Sequence, residues 1–368
     1  MSFFTCTQET LLKPLSEMIG FVEKKQTMPI LANVYIRKLS SILTLIANDS
    51  EIQYKAEIVN QKDGNDFTIT LPAKKLQDVL KTLKEGSEVN FEQNNGKINI
   101  KSGKSKFVLQ SLPPEHFPLL TVDQSPIATF SISQKTLKDL LQNVKYAMAA
   151  NDSRAFLNGM LFEIKDNKFN LVATDAHRLG FVSYTLAEDT PEISVIVPRK
   201  TILELDKLLV NDTTVTIKIY NNQISFNLDS GQIISKIIDG KYPEYDRVIP
   251  SNNDKLCLIN RLELLQAVQR VSVIGFDKLK TITISLANNT ITVSCHNEEQ
   301  EESTDELLVQ YNSESELLLN FNITYVLDVL NNNSEENLQF AFMDNLKSVL
   351  ITKPNEIDFK YVIMPMRA

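Results

Sequence analysis

Three stretches of this chain carry one signature, an alternating strand that runs straight into an amphipathic helix. Phe67-Thr68-Ile69-Thr70-Leu71 is followed by Pro72, Ile193-Ser194-Val195-Ile196-Val197 by Pro198, and Leu317-Leu318-Leu319-Asn320-Phe321 by Asn322. Their starts lie 126 and 124 residues apart. Period-two alternation marks a half-buried strand. Proline costs no hydrogen bond in a first helical turn, and Asn is a good N-cap, so each strand is expected to end where its helix begins. The spacing predicts helices over 72–84, 198–209 and 322–330, with apolar stripes Leu76, Val79, Leu80, Leu83; Ile202, Leu205, Leu208, Leu209; and Ile323, Val326, Leu327, Leu330.

A second helix recurs near the start of each copy, after Phe4-Thr5-Cys6, Phe130-Ser131-Ile132 and Cys257-Leu258-Ile259. It is expected over 8–25, 134–146 and 260–271, with stripes Leu11, Leu12, Leu15, Ile19; Leu137, Leu140, Leu141, Val144; and Leu262, Leu265, Val268. Each copy ends in a hairpin. Val89–Phe91 and Lys97–Ile100 flank Asn94-Asn95-Gly96, Val215–Ile219 and Ile224–Phe226 flank Asn221-Asn222, and Phe340–Met343 and Leu346–Leu350 flank Asp344-Asn345. These turn residues tolerate positive φ.

The chain is therefore expected to be α+β, with three repeated domains at 1–125, 126–252 and 253–368, each of two helices plus antiparallel sheets. The period is too long for a thin solenoid. Three domain-sized copies suggest an arc, and an arc with head-to-tail faces closes into a ring if the rotation permits.

A length of 368 residues suits two to four domains. Cys6, Cys257 and Cys295 are few and far apart, which excludes a disulfide framework or a CxxC metal site. No cofactor is expected. The N-terminus lacks a charged-then-apolar signal pattern, and no run of 18 apolar residues exists, so no membrane partner and a cytoplasmic location are expected.

The formal charge of −8 argues against a nucleic-acid partner when taken alone. Its distribution argues the other way. The six helical stretches hold 15 Lys and Arg against 9 Asp and Glu, a net +6, which leaves −14 for the rest. Helices often carry solvated lysines, but a focused basic surface attracts phosphates whatever the total. Lys13, Lys24, Lys25, Lys74, Lys75, Lys81, Lys138, Lys145, Arg199, Lys200 and Lys207 are the cations concerned. No aromatic ladder for base stacking accompanies them, so contact would be with backbone and weakly sequence-dependent.

The strongest candidate for an active site is Thr174-Asp175-Ala176-His177-Arg178-Leu179, where an Asp two residues from a His could pair a base with its orienter. No GxSxG elbow, Walker A loop, HExxH or GxGxxG accompanies it, and the chain has only His116, His177 and His296. A turn that hydrogen-bonds internally is the plainer reading. The acidic run Glu298, Glu299, Glu301, Glu302, Asp305, Glu306 could face Lys104 and Lys106 of a second copy, with Phe107 and Leu109 packing on Val273 and Ile274. The tail Tyr361-Val362-Ile363-Met364-Pro365-Met366-Arg367-Ala368 is apolar almost to its end; it could finish a sheet, and its two Met residues around a Pro offer an adaptable surface.

Five segments resemble the bacterial DNA polymerase III beta subunits, the sliding-clamp family. They are Gln26-Thr27-Met28-Pro29-Ile30-Leu31, Leu157-Asn158-Gly159-Met160-Leu161-Phe162-Glu163, Ala173–Leu179, Asp239-Gly240-Lys241-Tyr242-Pro243-Glu244-Tyr245 and Tyr361–Arg367. They span the chain in family order. The resemblance implies a ring that encircles double-stranded DNA without sequence preference and tethers the replicative polymerase catalytic subunit, with no catalysis of its own. It implies a head-to-tail homodimer forming a six-domain ring, helices inside and sheets outside.

It also implies a groove where peptides of the polymerase, the clamp loader and other replication and repair proteins dock. The matching residues are Leu157, Thr174, His177, Arg178 and Leu179; Pro243, Arg247 and Val248; Asn322 and Tyr325; Leu346 and Ser348; and Val362, Ile363, Met364, Pro365, Met366 and Arg367. For DNA they are Lys25, Asn151, Arg199 and Lys200. For the dimer they are Lys104, Lys106, Phe107, Leu109, Val273, Ile274, Glu301 and Glu302. Ala176 stands where the family usually has Gly, Leu279 where an aromatic can sit, and Ala155-Phe156 where an aromatic pair lies near DNA. Lysines replace arginines at 25, 104 and 106, which keeps the charge and loses the bidentate fork.

Three functional classes follow. A clamp binds DNA in a salt-sensitive way and stays on closed circles. An enzyme built on Asp175 and His177 loses turnover with His177→Ala. A peptide-binding scaffold that encloses no DNA tolerates charge reversal at Arg199 and Lys25.

Overall fold

The structure is a computed structural model that describes residues 2–23, 28–59, 65–122, 125–275, 280–354 and 356–366. Lys24, Lys25, Gln26, Thr27, Leu279, Arg367 and Ala368, named above, lie outside the described residues.

The first repeat runs β1 (Ser2–Thr7), α1 (Gln8–Met18), β2 (Asn33–Leu39), β3 (Ile42–Asn48), β4 (Ile52–Val59), β5 (Phe67–Pro72), α2 (Ala73–Thr82), β6 (Glu88–Asn94), β7 (Lys97–Ser102) and β8 (Ser105–Gln110). The second runs β9 (Ala128–Ser133), α3 (Gln134–Val144), β10 (Gly159–Lys165), β11 (Lys168–Thr174), β12 (Arg178–Thr185), β13 (Ile193–Pro198), α4 (Arg199–Leu208), β14 (Thr214–Ile219), β15 (Gln223–Asn227) and β16 (Gln232–Lys236). The third runs β17 (Lys255–Asn260), α5 (Arg261–Gly275), β18 (Thr281–Ala287), β19 (Thr290–His296), β20 (Glu302–Leu308), a short extra β21 (Gln310–Tyr311), β22 (Leu317–Asn322), α6 (Ile323–Asn331), β23 (Asn337–Phe342), β24 (Val349–Lys353) and β25 (Glu356–Ile363).

Every repeat folds into two four-stranded half-sheets in the same order. The first halves are β5-β2-β3-β4, β13-β10-β11-β12 and β22-β18-β19-β20; the second are β1-β6-β7-β8, β9-β14-β15-β16 and β17-β23-β24-β25. Neighbouring repeats fuse these halves by one rule. The last strand of the later repeat pairs with the third strand of the earlier first half, β16 with β4 and β25 with β12. Two sheets are thereby extended, to eight and nine strands, and two four-stranded halves end in the edge strands β8 and β20. All described pairings are antiparallel. By contacts the chain divides into two units, Met1–Leu137 with Leu203–Ile237 and Lys138–Ile202 with Ile238–Ala368. Each unit holds one fused sheet and one four-stranded sheet.

The predicted strand starts at Phe67, Ile193 and Leu317 are the observed ones. Asn322 caps α6, its side-chain oxygen accepting from the Thr324 N–H at 2.9 Å. The prolines do something different from the expectation. Pro72 and Pro198 are the last strand residues, and the helices begin one residue later. A proline has no N–H for the ladder, so a strand's last position suits it.

Helix α1 stops at Met18 and tightens into a 3₁₀ turn, Ile19–Phe21, short of the expected 25. The stripe of α5 is also corrected. Leu264, Ala267, Val268 and Val271 are buried while Leu262 is half exposed. This helix has apolar residues on several faces, so spacing alone leaves its inner face undecided. The third hairpin is looser than expected. Its second strand starts at Val349, and the Asp344 carboxylate binds the N–H groups of Leu346 and Lys347 inside a longer loop. The first hairpin keeps its turn, with Asn95 and Gly96 both at positive φ.

Gly180 on β12 has a packing role. A Cβ there would lie 3.1–3.2 Å from Val144, so glycine lets the end of α3 seat against the sheet. The aliphatic core of each unit is closely covered: Leu11, Leu15, Leu76, Leu80 and Val89 in the first, Val268, Val271, Val326 and Leu330 in the second, all at 2% exposure or less. No helix among the described residues is long and apolar enough to cross a membrane.

Candidate functional site

The second unit contains an apolar cavity of about 270 Å³. Four separate segments wall it. The 3₁₀ turn Ala155–Asn158 supplies Phe156 and Leu157, the β11–β12 turn supplies Thr174, Ala176, Arg178 and Leu179, the segment after β16 supplies Pro243, Tyr245 and Val248, and β25 with the tail supplies Val362 and Met364. Beneath it lies a cluster that includes Leu161, Val172, Leu179, Tyr242, Tyr245 and Val362.

The β11–β12 turn is fixed by its own side chains. Thr174 Oγ1 donates to the Arg178 carbonyl at 2.6 Å and accepts from the Ala176 N–H at 3.1 Å. Asp175 Oδ1 accepts from the N–H groups of His177 and Arg178 at 3.0 and 3.1 Å. Asp175 is therefore occupied in shaping the turn, the plainer of its two sequence readings. Residue parity then splits the turn between two cavities. Thr174 and Ala176 face the apolar one, while Asp175 and His177 face a polar cavity of about 590 Å³.

Arg178 lines both cavities. It is only 8% exposed, and its guanidinium donates to Asp175 Oδ2 at 3.0 Å, Asp328 Oδ2 at 2.5 Å and the Tyr146 carbonyl at 2.5 Å. It also lies 4.3 Å from the ring centroid of Tyr325. Burial works against its charge, but Tyr361, Asp328 and Asp175 outweigh that and hold its pKa above the usual arginine value. A buried charge needs such a full set of partners. At the other lip, Arg154 forms a two-pronged pair with Asp152, with both distances 2.9 Å. That contact and the Arg154 N–H lower the Asp152 carboxyl to about 2.

Tyr245 positions the third wall. Its hydroxyl donates to Glu163 at 2.6 Å, and its ring stacks on Phe181. The tail closes the fourth. The Met364 N–H donates to the His177 carbonyl at 3.0 Å and the Met366 N–H to the Asn320 carbonyl at 2.7 Å.

Of the expected groove residues, Leu157, Thr174, Arg178, Leu179, Pro243, Val248, Val362 and Met364 line this cavity. His177 and Tyr325 stack on each other and line the polar one. The rest stand apart from it. Arg247 is exposed and paired with Glu244, Asn322 is the α6 cap, Leu346 is 80% exposed on its loop, and Ser348 offers its carbonyl to Asn253. Ile363 is buried, Pro365 is half-buried and Met366 is partly exposed beside Asn320. Sequence reasoning did not assign Arg154, Phe156 or Tyr245 to the groove. Only Tyr245 had a visible signal, its place in the Asp239–Tyr245 segment. Phe156, at the place of the family's DNA-proximal aromatic pair, packs against the apolar cluster.

Asn151 and Arg199, expected to contact DNA, share the polar cavity, where Arg199 donates to the Met148 carbonyl at 3.1 Å. Lys200 is exposed on α4. In the first unit, Lys106, Phe107 and Leu109 lie on the edge strand β8, with Lys104 in the turn before it. In the second, Glu302 opens the edge strand β20 just after Glu301, and Val273 and Ile274 lie in the last turn of α5, which packs on that strand. Val273 is 79% exposed. No cluster of metal-binding side chains occurs among the described residues.

Three family models match consecutive parts of the chain. The N-terminal domain of the DNA polymerase III beta subunit matches residues 2–121, the central domain 131–244 and the C-terminal domain 246–367. The chain is 37% identical over 367 residues to the beta sliding clamp of Pseudomonas aeruginosa and 35% identical over 365 residues to that of Escherichia coli K12, covering 99% of each chain. The crystal structure of the P. aeruginosa DNA polymerase III beta subunit superposes with a TM-score of 0.93 at 35% identity, covering 99% of this chain and 100% of that one. A P. aeruginosa sliding clamp bound to griselimycin superposes with a TM-score of 0.93 at 36% identity and 99% coverage of both chains.

Proposed function

The chain belongs to the DNA polymerase III beta subunit family, the sliding clamps, and on that premise we propose that it closes with a second copy into a ring around duplex DNA and tethers the replicative polymerase there. The family is one of accessory clamps and not of catalytic enzymes. A closed ring cannot leave duplex DNA sideways, so weak, sequence-independent backbone contacts suffice. Asn151, Arg199, Lys200 and Lys25 make those contacts in this reading. The apolar cavity takes a short peptide's buried anchor, from the polymerase, the clamp loader or repair proteins. The proposed domains are 1–125, 126–252 and 253–368, and the site of action is the cytoplasm.

The observation that carries the ring is the joint rule. Last strand meets third strand at β16–β4 and at β25–β12, which leaves the outer edges of β8 and β20 as the matching pair that no described strand covers. Their charges are complementary, with Lys104 and Lys106 at one edge and Glu301, Glu302, Asp305 and Glu306 at the other.

The register follows from the repeats. Stepping across the second half-sheets, Phe4–Phe91–Ile100–Phe107 corresponds to Phe130–Ile217–Phe226–Ile233 and to Cys257–Phe340–Ile351–Tyr361. Stepping across the first halves, Ile69–Ile36–Leu45–Ala56 corresponds to Val195–Phe162–Leu171–Val182 and to Leu319–Ile284–Val293–Asp305. Ile233 faces Tyr54 and Tyr361 faces Gly180, so Phe107 of one copy should face Ser303 of the next and Lys104 should face Glu306.

The test is oxidative cross-linking of Lys104→Cys with Glu306→Cys, since the native cysteines are buried. The expected product is a covalent two-chain circle that stays on nicked circular DNA after loading at high salt. A chain that is monomeric by light scattering at micromolar concentration, or that cross-links as well when Asp305→Cys replaces Glu306→Cys, sinks this ring. Griselimycin, bound by the P. aeruginosa relative, tests the groove separately by calorimetry.

A further inference from the structure

Ala176 holds a backbone conformation that its side chain does not favour. Its φ is +75°, and it is the only apolar residue with positive φ among the described non-glycine residues. The others are Ser, Asn, Asp, Lys and Gln, whose polar side chains are more at home in turns. The conformation itself is dictated by the turn. At the equivalent turn of the first repeat, between β3 and β4, Ser50 has φ +77° and its N–H is likewise held by the side chain two residues earlier, Asn48 at 2.5 Å. Backbone geometry therefore requires a left-handed residue here, and glycine would meet that requirement without strain. Instead the chain carries a methyl group at a lining position of the apolar cavity, whose walls include Leu157, Val248 and Val362.

We propose that Ala176 is a specificity-determining residue, whose methyl fits the cavity to flexible aliphatic anchors such as Leu and Met and sets it against planar aromatic ones. This rests on the peptide-groove reading above. An unbranched or γ-branched side chain can rotate around one extra methyl on a wall. A rigid ring cannot, and overpacking is costly where the surrounding turn is locked by three side chains. Discrimination by one methylene-sized feature is worth roughly 10- to 200-fold in a well-packed pocket.

The experiment compares N-acetyl-leucinamide with N-acetyl-phenylalaninamide on full-length protein, titrated to millimolar concentration while the methyl signals of Leu157, Leu179 and Val362 are followed by NMR. Wild type is expected to favour the leucine compound. Ala176→Gly, which suits φ +75° and keeps the fold, is expected to raise affinity for the phenylalanine compound about tenfold and leave the leucine compound within about twofold. Added turn flexibility would weaken both together, so the ratio is the readout. Ala176→Ser, the residue at the equivalent turn, should keep the wild-type ratio. An unchanged ratio in Ala176→Gly overturns the proposal, as does a wild type that ignores both compounds while binding griselimycin. If griselimycin also fails to bind, the groove reading itself falls.

Discussion

The joint between β4 and β16 and the joint between β12 and β25 are built on one plan, yet they treat the chain beside them differently: the second bears the apolar cavity, while at the first a neighbouring segment is tied down by side-chain hydrogen bonds. The difference traces to equivalent positions on β4 and β12. In the first joint Gln53 stands where Leu179 stands in the second. The Gln53 amide donates to the Leu120 carbonyl at 3.0 Å and accepts from the Leu120 N–H at 2.9 Å. Asn48, at the position of Thr174, donates to the Pro118 carbonyl at 2.7 Å. The segment after Phe117 is thus strapped down, with Phe117 packed on Ile30, Leu31 and Ile46.

In the second joint Tyr242-Pro243 corresponds to Phe117-Pro118. Leu179 offers no hydrogen bond there, and Thr174 spends its hydroxyl inside its own turn. The following chain instead coils into the short 3₁₀ turn Tyr245–Arg247. A recess on a sheet is thus kept open by removing the polar hooks that would bind the chain's own backbone across it.

Arg178 is the sharpest place to break the comparison, because its equivalent in the first joint is the fully apolar Ile52. Arg178→Ile should destabilise the second unit by about 3–5 kcal/mol, since Asp328 and Asp175 lose their buried cation. Thermal unfolding followed by calorimetry would measure this; a loss under about 1 kcal/mol would show that the pair contributes little. Leu179→Gln moves the first joint's hook into the second. On the proposed groove reading it should weaken griselimycin binding by about 2 kcal/mol, near thirtyfold, by putting an amide into the apolar floor, with secondary structure unchanged. The reverse exchange, Gln53→Leu, should cost about 1–2 kcal/mol of stability and speed hydrogen exchange at the Leu120 amide, leaving griselimycin affinity alone. Unaltered exchange at Leu120 would mean that the strap is held by Phe117 packing and not by the amide.

Much of this architecture was legible in the sequence because it is written three times. The strand starts, the places of the six helices and the first two hairpins follow from local periodicity and turn chemistry. The inner face of α5 was hidden because its apolar residues ring several faces. The third hairpin was hidden because an Asp that caps its own loop looks like any two-residue turn. The cavity was harder still. Its walls come from four segments that only pairing across repeats brings together, and Phe156 and Tyr245 enter it by packing, which leaves no spacing to read. Thr174, Arg178 and Leu179 were found through a recognisable motif; the parity that sends alternate residues of that turn to opposite cavities became visible only in three dimensions.

The repeated joint has a consequence for how such a ring could be opened. At β4–β16 and β12–β25 the two strands belong to one chain, so a strand that lets go remains leashed and meets its partner again at an effective concentration in the millimolar range. At the proposed β8–β20 joint nothing covalent would connect the two sides. Even joints of equal local chemistry would then differ greatly in persistence. Dilution acts on the unleashed one alone, and a ring of two chains has two such places. Opening a gap for DNA therefore requires no weaker strand pairing, only the missing peptide link.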